Sequence, residues 1–125
     1  MLNKSILMGR LTKDPELRMT GNQLPVATFT IAIDRKFKDA SGNKQVDFIN
    51  CVAWRKTAEL ISQHFTKGRM IAVIGSIQVR SWDDKEGNKR YATEVIVDEF
   101  SFTGDNKQQT SQQGYTPDEP TPFEL

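Results

Sequence analysis

The apolar residues of this chain fall into five strand-like stretches and one helical stretch. From Val26 to Ile33, Ala27, Phe29, Ile31 and Ile33 lie on one side while Thr28 and Thr30 lie on the other. That period of two marks a half-buried strand. Ser5 to Leu11 reads as an earlier strand, broken by Thr12-Lys13-Asp14-Pro15, because proline lacks a donor and disfavours continued pairing. Phe48 to Trp54 is dense in β-formers and reads as a third strand. Met70 to Arg80 reads as a fourth, with Ile71, Val73, Ile77 and Val79 on one side. Gly75 interrupts that side and predicts a bulge or sharp bend. Arg90 to Phe102 is the fifth strand. Between the third and fourth the period lengthens: Ala58, Ile61 and Phe65 form one stripe of a short helix over Lys56 to Phe65, with Gly68 as its stop signal. Asp39 to Asn43 and Asp83 to Lys89 are polar turn clusters.

Three strands, a helix and two strands is the layout of the oligonucleotide-binding barrel, an all-β fold of five strands with one short helix between the third and fourth. Other small α+β folds share that order. After Gly104 the composition changes. Asp105 to Leu125 is rich in Gln, Thr, Pro and acids, too poor in apolar surface to offset its ordering entropy. The expected organisation is therefore a folded domain over 1–104 and a disordered acidic tail over 105–125.

Net charge, at +1, points to no partner by itself. Its distribution does more. Residues 1–104 hold 16 Lys and Arg against 12 Asp and Glu, whereas 105–125 hold one Lys against four acids. A mildly basic body can engage a polyanion while an acidic tail stays free. The single cysteine, Cys51, allows no intramolecular disulfide, which fits a reducing compartment. No apolar run approaches the ~20 residues that span a bilayer, and Met1 to Arg10 has no secretory pattern. These features predict a cytoplasmic protein without a membrane partner.

Little in the chain points to catalysis. One His and one Cys fill no common metal pattern, so no metal or cofactor is expected. His64 reads as a solvated helix residue, Cys51 as a small buried hydrophobe, and Asp83-Asp84 as solvated charge. No phosphate-cradling glycine loop is present. The aromatic residues are more informative. Phe37 stands among Arg35, Lys36 and Lys38; Trp54 precedes Arg55-Lys56; Trp82 follows Arg80-Ser81 and opens a charged hairpin. Flat rings for bases and cations for phosphates are what single-strand binding requires. Phe29, Phe65 and Phe100 are assigned to the core. Phe48 and Trp54, six residues apart, share one face of their strand, and the pattern leaves open whether that face is core or binding surface. Phe37 and Trp82 are equally open.

Several segments resemble bacterial single-stranded DNA-binding proteins. They are Leu2 to Leu11 with Asp14-Pro15-Glu16-Leu17-Arg18; Val26-Ala27; Trp54-Arg55-Lys56-Thr57-Ala58-Glu59; Lys67-Gly68; Gly75-Ser76-Ile77; and Arg80-Ser81-Trp82 with Gly87, Arg90-Tyr91 and Thr93-Glu94-Val95. The resemblance runs in order over roughly residues 1–102. It implies a barrel that assembles as a homotetramer and wraps single-stranded DNA without sequence preference, in the nucleoid, during replication, recombination and repair. The family's four stacking positions fall on Phe37, Phe48, Trp54 and Trp82. Its phosphate-contacting positions fall on Lys4, Arg18, Lys56, Lys67, Arg80 and Arg90, while Gln78 and Ser81 replace basic residues found in some members. Family tails often close on an acidic tip with Ile-Pro-Phe or Leu-Pro-Phe, which recruits replication and repair proteins. Here Asp118, Glu119, Pro122 and Phe123 occupy the comparable place, but Glu124-Leu125 follow. Where partners need a terminal Phe carboxylate, this tail is expected to bind them poorly; a purely solubilising tail is the alternative. A scaffold with weak DNA affinity is the competing function, and an enzyme acting on DNA would need an acidic or metal cluster that the sequence does not offer.

Overall fold

In the computed structural model, which describes residues 1–104, all five expected strands are present together with a sixth. The elements are β1 (Ser5–Leu11), β2 (Glu16–Met19), β3 (Pro25–Asp34), β4 (Val46–Trp54), α1 (Arg55–His64), β5 (Met70–Asp83) and β6 (Lys89–Phe102). Five strands close a ring, β1-β5-β6-β4-β3, sealed where Arg10 and Leu11 of β1 pair with Ala32 and Ile31 of β3. Neighbours run antiparallel except β4 and β6, which meet in parallel at Cys51–Val95 and Val52–Ile96. The fold is the oligonucleotide-binding barrel, with its helix between the third and fourth ring strands. The tail expectations, Asp118, Glu119, Pro122 and Phe123 among them, lie outside the described residues.

The period-two reading of β3 places its residues correctly: Ala27, Phe29 and Ile31 are buried and Thr28 is exposed. Leu11, Phe29, Ile31, Cys51, Ile71, Val73, Val95 and Val97 fill the barrel, and Ala58 and Ile61 of the helix, with Phe65 just past its end, pack into the same core. Full burial of a ring such as Phe65 contributes about 1.5–3 kcal/mol. That ring stacks on Phe102 at 5.0 Å and meets the edge of Phe100 at 5.7 Å. Gly9 lets β1 cross close to β3, since a Cβ there would stand 2.6 Å from the Ala32 carbonyl oxygen.

Gly75 marks the bulge its position predicts. Ile74 faces Glu99 and Gly75 faces Val97, so Asp98 is the extra residue, and a Cβ on Gly75 would overlap the Ile96 carbonyl. Before the bulge Ile71 and Val73 are in the core; beyond it Ile77 and Val79 are exposed. The β5–β6 ribbon continues to Asp83, beyond the expected end at Arg80, because the two strands satisfy each other's backbone groups. The helix stops sooner than Gly68 suggests. Phe65 is already extended and Gly68, at φ 88°, turns the chain afterwards.

Candidate nucleic-acid interface

One side of β2, β3 and β4 faces away from the core. On β4, Ile49, Cys51 and Ala53 point inward or pack against the core, leaving Phe48, Asn50 and Trp54 on the outside. Cross-strand register extends this surface in rows. Arg18, Val26 and Trp54 are directly paired across three strands, which sets Arg18 and Trp54 roughly 10 Å apart. Ala32 stands opposite Phe48 and Thr30 opposite Asn50, and the Thr30 hydroxyl donates to Asn50 Oδ1 at 2.9 Å. Phe48 and Trp54 are roughly 20 Å apart along the strand. Between them a groove of about 310 Å³ has Thr30 and Asn50 in its lining, with Lys13, Arg80 and Glu94 also on its wall. None of Thr30, Asn50 and Glu94 was expected as a site residue; alternation puts Asn50 on the same side of β4 as Phe48, and that was the available signal.

Trp54 closes β4 and serves as the N-cap of α1 without a capping side chain, and Arg55 follows at φ 55°. A left-handed residue makes the strand-to-helix corner abrupt, and for a non-glycine it costs about 1–2 kcal/mol. The helix therefore begins with neither a capping side chain nor relaxed backbone, and the residue at the corner is an exposed tryptophan.

The other two aromatics stand on hairpin arms built to one pattern. Asp39-Ala40-Ser41-Gly42-Asn43 and Asp84-Lys85-Glu86-Gly87-Asn88 share the form Asp-x-x-Gly-Asn, with Phe37 and Trp82 two residues before the aspartate. Asp39 Oδ1 accepts the Ser41 and Asn43 N–H groups, and Gln45 donates to its other oxygen. Asp84 Oδ1 accepts Glu86 and Asn88 in the same way, and Arg90 donates to Oδ2 at 2.9 Å. Gly42 and Gly87 adopt the positive φ the turn needs, 84° and 82°. The Asn88 N–H, together with Arg90 and the Glu86 N–H, holds the Asp84 carboxyl below the usual carboxylate range against the opposing effect of burial. Arg35 clamps the base of the first arm through two bonds to Asp47, whose carboxyl is likewise lowered. Both tips are thus ordered before any ligand arrives.

All four expected stacking residues are accessible: Phe37 is 81% exposed, Phe48 65%, Trp54 40% and Trp82 42%. Phe29 and Phe65 are buried, and Phe100 packs against the core. The six expected cations divide. Lys4, Lys56 and Lys67 are exposed and their side chains have no ion-pair partner among the described residues. Arg18 pairs with Glu16 at 3.2 Å, Arg90 with Asp84, and Arg80 with Glu94 at 3.1 Å. Exposed pairs such as Arg18–Glu16 are worth about 0–1 kcal/mol, so a phosphate competes with them readily. Cys51 is buried and its thiol is pushed up to about 12, which keeps it protonated. His64 is exposed, its ring edge-to-face with Phe102. Among the described residues no three His, Cys, Asp or Glu side chains group as a metal site, and no helix is long and apolar enough to cross a membrane.

Comparison with known proteins covers almost all of the described residues. The model of the single-strand binding protein family matches residues 2–103. A single-stranded DNA-binding protein of Caldanaerobacter subterraneus subsp. tengcongensis is 52% identical over 102 residues, covering 82% of this chain and 68% of that protein. Single-stranded DNA-binding protein 1 of Lactococcus lactis is 45% identical over 129 residues, covering 98% of this chain and 86% of the relative. Single-stranded DNA-binding protein 1 of Streptococcus pyogenes is 48% identical over 102 residues, covering 82% and 78%.

Proposed function

The chain belongs to the single-strand binding protein family, and on that premise we propose that it coats single-stranded DNA without regard to sequence by stacking bases on Phe37, Phe48, Trp54 and Trp82. The observation that carries this reading is the exposure of all four rings, on β4 and on the two ordered arms, while Phe29 and Phe65 are buried and Phe100 packs against the core. An aromatic face substitutes for base–base stacking, worth about 1–3 kcal/mol per base, and accepts any base. Lys4, Lys56 and Lys67, without an ion-pair partner among the described residues, offer their charge to the phosphates. Arg18 and Arg90 exchange a carboxylate for a phosphate. Arg80 stands on the same face, but its partner carboxylate is mostly covered. Asn3 fixes the approach of Lys4, since its side chain both donates to and accepts from the Ile77 backbone. Protein bound to the unpaired strand opposes reannealing by mass action. Protection of exposed strands during replication, recombination and repair follows from that physics and calls for no cofactor or bond-making step.

Residues 1–104 form the binding domain in this reading, and 105–125 an acidic tail whose Asp118, Glu119, Pro122 and Phe123 engage those replication and repair proteins that do not require a terminal Phe carboxylate. The working form is a homotetramer, acting on nucleoid DNA in the cytoplasm. Support for assembly comes from apolar side chains turned outward on β1, Ile6 and Met8, and on the β5–β6 ribbon, Ile77, Val79 and Tyr91, which association would cover.

Anisotropy titrations with labelled oligo(dT), a mixed-sequence strand and a duplex test the function. Comparable binding of the two single strands and much weaker binding of the duplex are expected. Equal affinity for the duplex, or no binding by folded protein, would overturn the coating role and favour the scaffold. Light scattering on the same samples should give the mass of four chains; the mass of one would reject the tetramer.

A further inference from the structure

Glu94 is an acid on a face proposed to meet a polyanion. It lies on β6 opposite Gln78, on the same side of the ribbon as Arg80, Trp82 and Arg90. A carboxylate turned toward phosphate would repel it. This one is turned elsewhere. Its side chain is 12% exposed against 61% for Arg80. Both Glu94 oxygens accept from Arg80 Nε, at 3.2 and 3.1 Å, and Arg80 Nη2 stands 3.1 Å from Oε2. The same guanidinium lies over the Trp82 ring, 4.8 Å from its centroid. Carboxylate, guanidinium and indole form one connected set, and only its last member is a stacking residue.

A guanidinium is planar and rigid, so a carboxylate that fixes its fork also fixes its plane. A plane held over the indole in turn fixes the ring and covers one of its faces. We infer that Glu94 is a positioning residue of the DNA-binding face: through Arg80 it sets the Trp82 ring and leaves a single ring face for a single base. Arg80, though exposed, then serves to hold the Trp82 ring and does not contact the phosphate backbone, although its place in the sequence suggests that it would. Ordering the ring beforehand removes part of the entropy cost of binding. The inference rests on the reading of this face as the single-strand site.

The chain has two tryptophans, so a Trp54→Phe background makes Trp82 the sole reporter. In the free protein, Glu94→Ala and Arg80→Met should each raise acrylamide quenching of Trp82 roughly twofold, the ratio of two open ring faces to one. In oligo(dT) titrations, Arg80→Met should leave the slope of log K against log salt unchanged, whereas loss of a phosphate contact would lower it by about 0.7. Arg80→Lys should behave as Arg80→Met, because an ammonium keeps the charge without the fork. Unchanged quenching in both variants, a slope lowered by Arg80→Met, or rescue by lysine would each overturn the inference. Wild-type protein that ignores oligo(dT) would instead sink the DNA reading of the face, and the quenching of the free protein would still decide the Glu94 link.

Discussion

Phe48 and Phe65 are the same residue type set to opposite tasks. Phe65 is fully buried between the helix and β6, and Phe48 stands out on β4. Truncating Phe65 to alanine should cost about 3–5 kcal/mol of stability. Phe48→Ala should leave the unfolding midpoint nearly unchanged and weaken oligo(dT) binding by about 1–3 kcal/mol. Thermal unfolding and a binding titration on the two variants check the contrast. The sequence showed that Phe48 and Trp54 share a face but not which face. The reason is local: β4 carries Ile49, Cys51 and Ala53 on one side and Phe48, Asn50, Val52 and Trp54 on the other, and one Asn among three large apolar residues does not decide which side is dry. Only the aligned resemblance favoured the outer side. Arg55 gives a second residue-scale prediction. Its left-handed backbone is strained, and Arg55→Gly should raise the unfolding free energy by about 1 kcal/mol, measured by urea denaturation.

At the scale of elements, the legible strands were those with one wet and one dry face. β2 had no such signature: its four residues are all exposed, and pairing with Pro25 to Thr28 of β3 holds it in place. Information about that pairing lies in another strand, beyond the reach of local pattern. The bulge was legible because Gly75 broke an apolar row. Gly75→Ala should destabilise by about 1–3 kcal/mol, or more if the ribbon cannot shift, since the clash is with backbone; chemical unfolding measures it. The arms make a prediction about pH. Asp84 and Asp47 have carboxyls lowered from 3.8 by their donors. A lowered folded value means that the stabilisation is fully present above the unfolded value and is lost as pH falls through the folded one. The Asp84 tip and the Arg35–Asp47 clamp should therefore stay ordered from neutral pH down to about pH 4 and loosen below it. Amide exchange at Asn88, followed from pH 7 downward after correction for intrinsic rates, should show protection falling only below that point.

For the whole molecule, strand order and the placement of the helix were readable because the hydrophobic period switches from two to that of a helix and back, once, between β4 and β5. The barrel was expected from that layout, but the pairs that seal it were not readable, since Arg10–Ala32 and Leu11–Ile31 join residues distant in sequence. Nor was the fate of the cations. Sequence position treats Lys67 and Arg80 alike, while among the described residues Lys67 has no ion-pair partner and Arg80 is engaged with Glu94. What emerges is a closed barrel whose interior is spent on stability and whose outer face, with two ordered arms, is left for stacking. The claim that this face binds single strands is tested most directly by tryptophan fluorescence during titration with oligo(dT), at low and high salt, for the wild type, Trp54→Ala and Trp82→Ala. The account predicts strong quenching that salt reverses and that each substitution reduces. Absence of quenching at low salt, in protein shown to be folded, would contradict it.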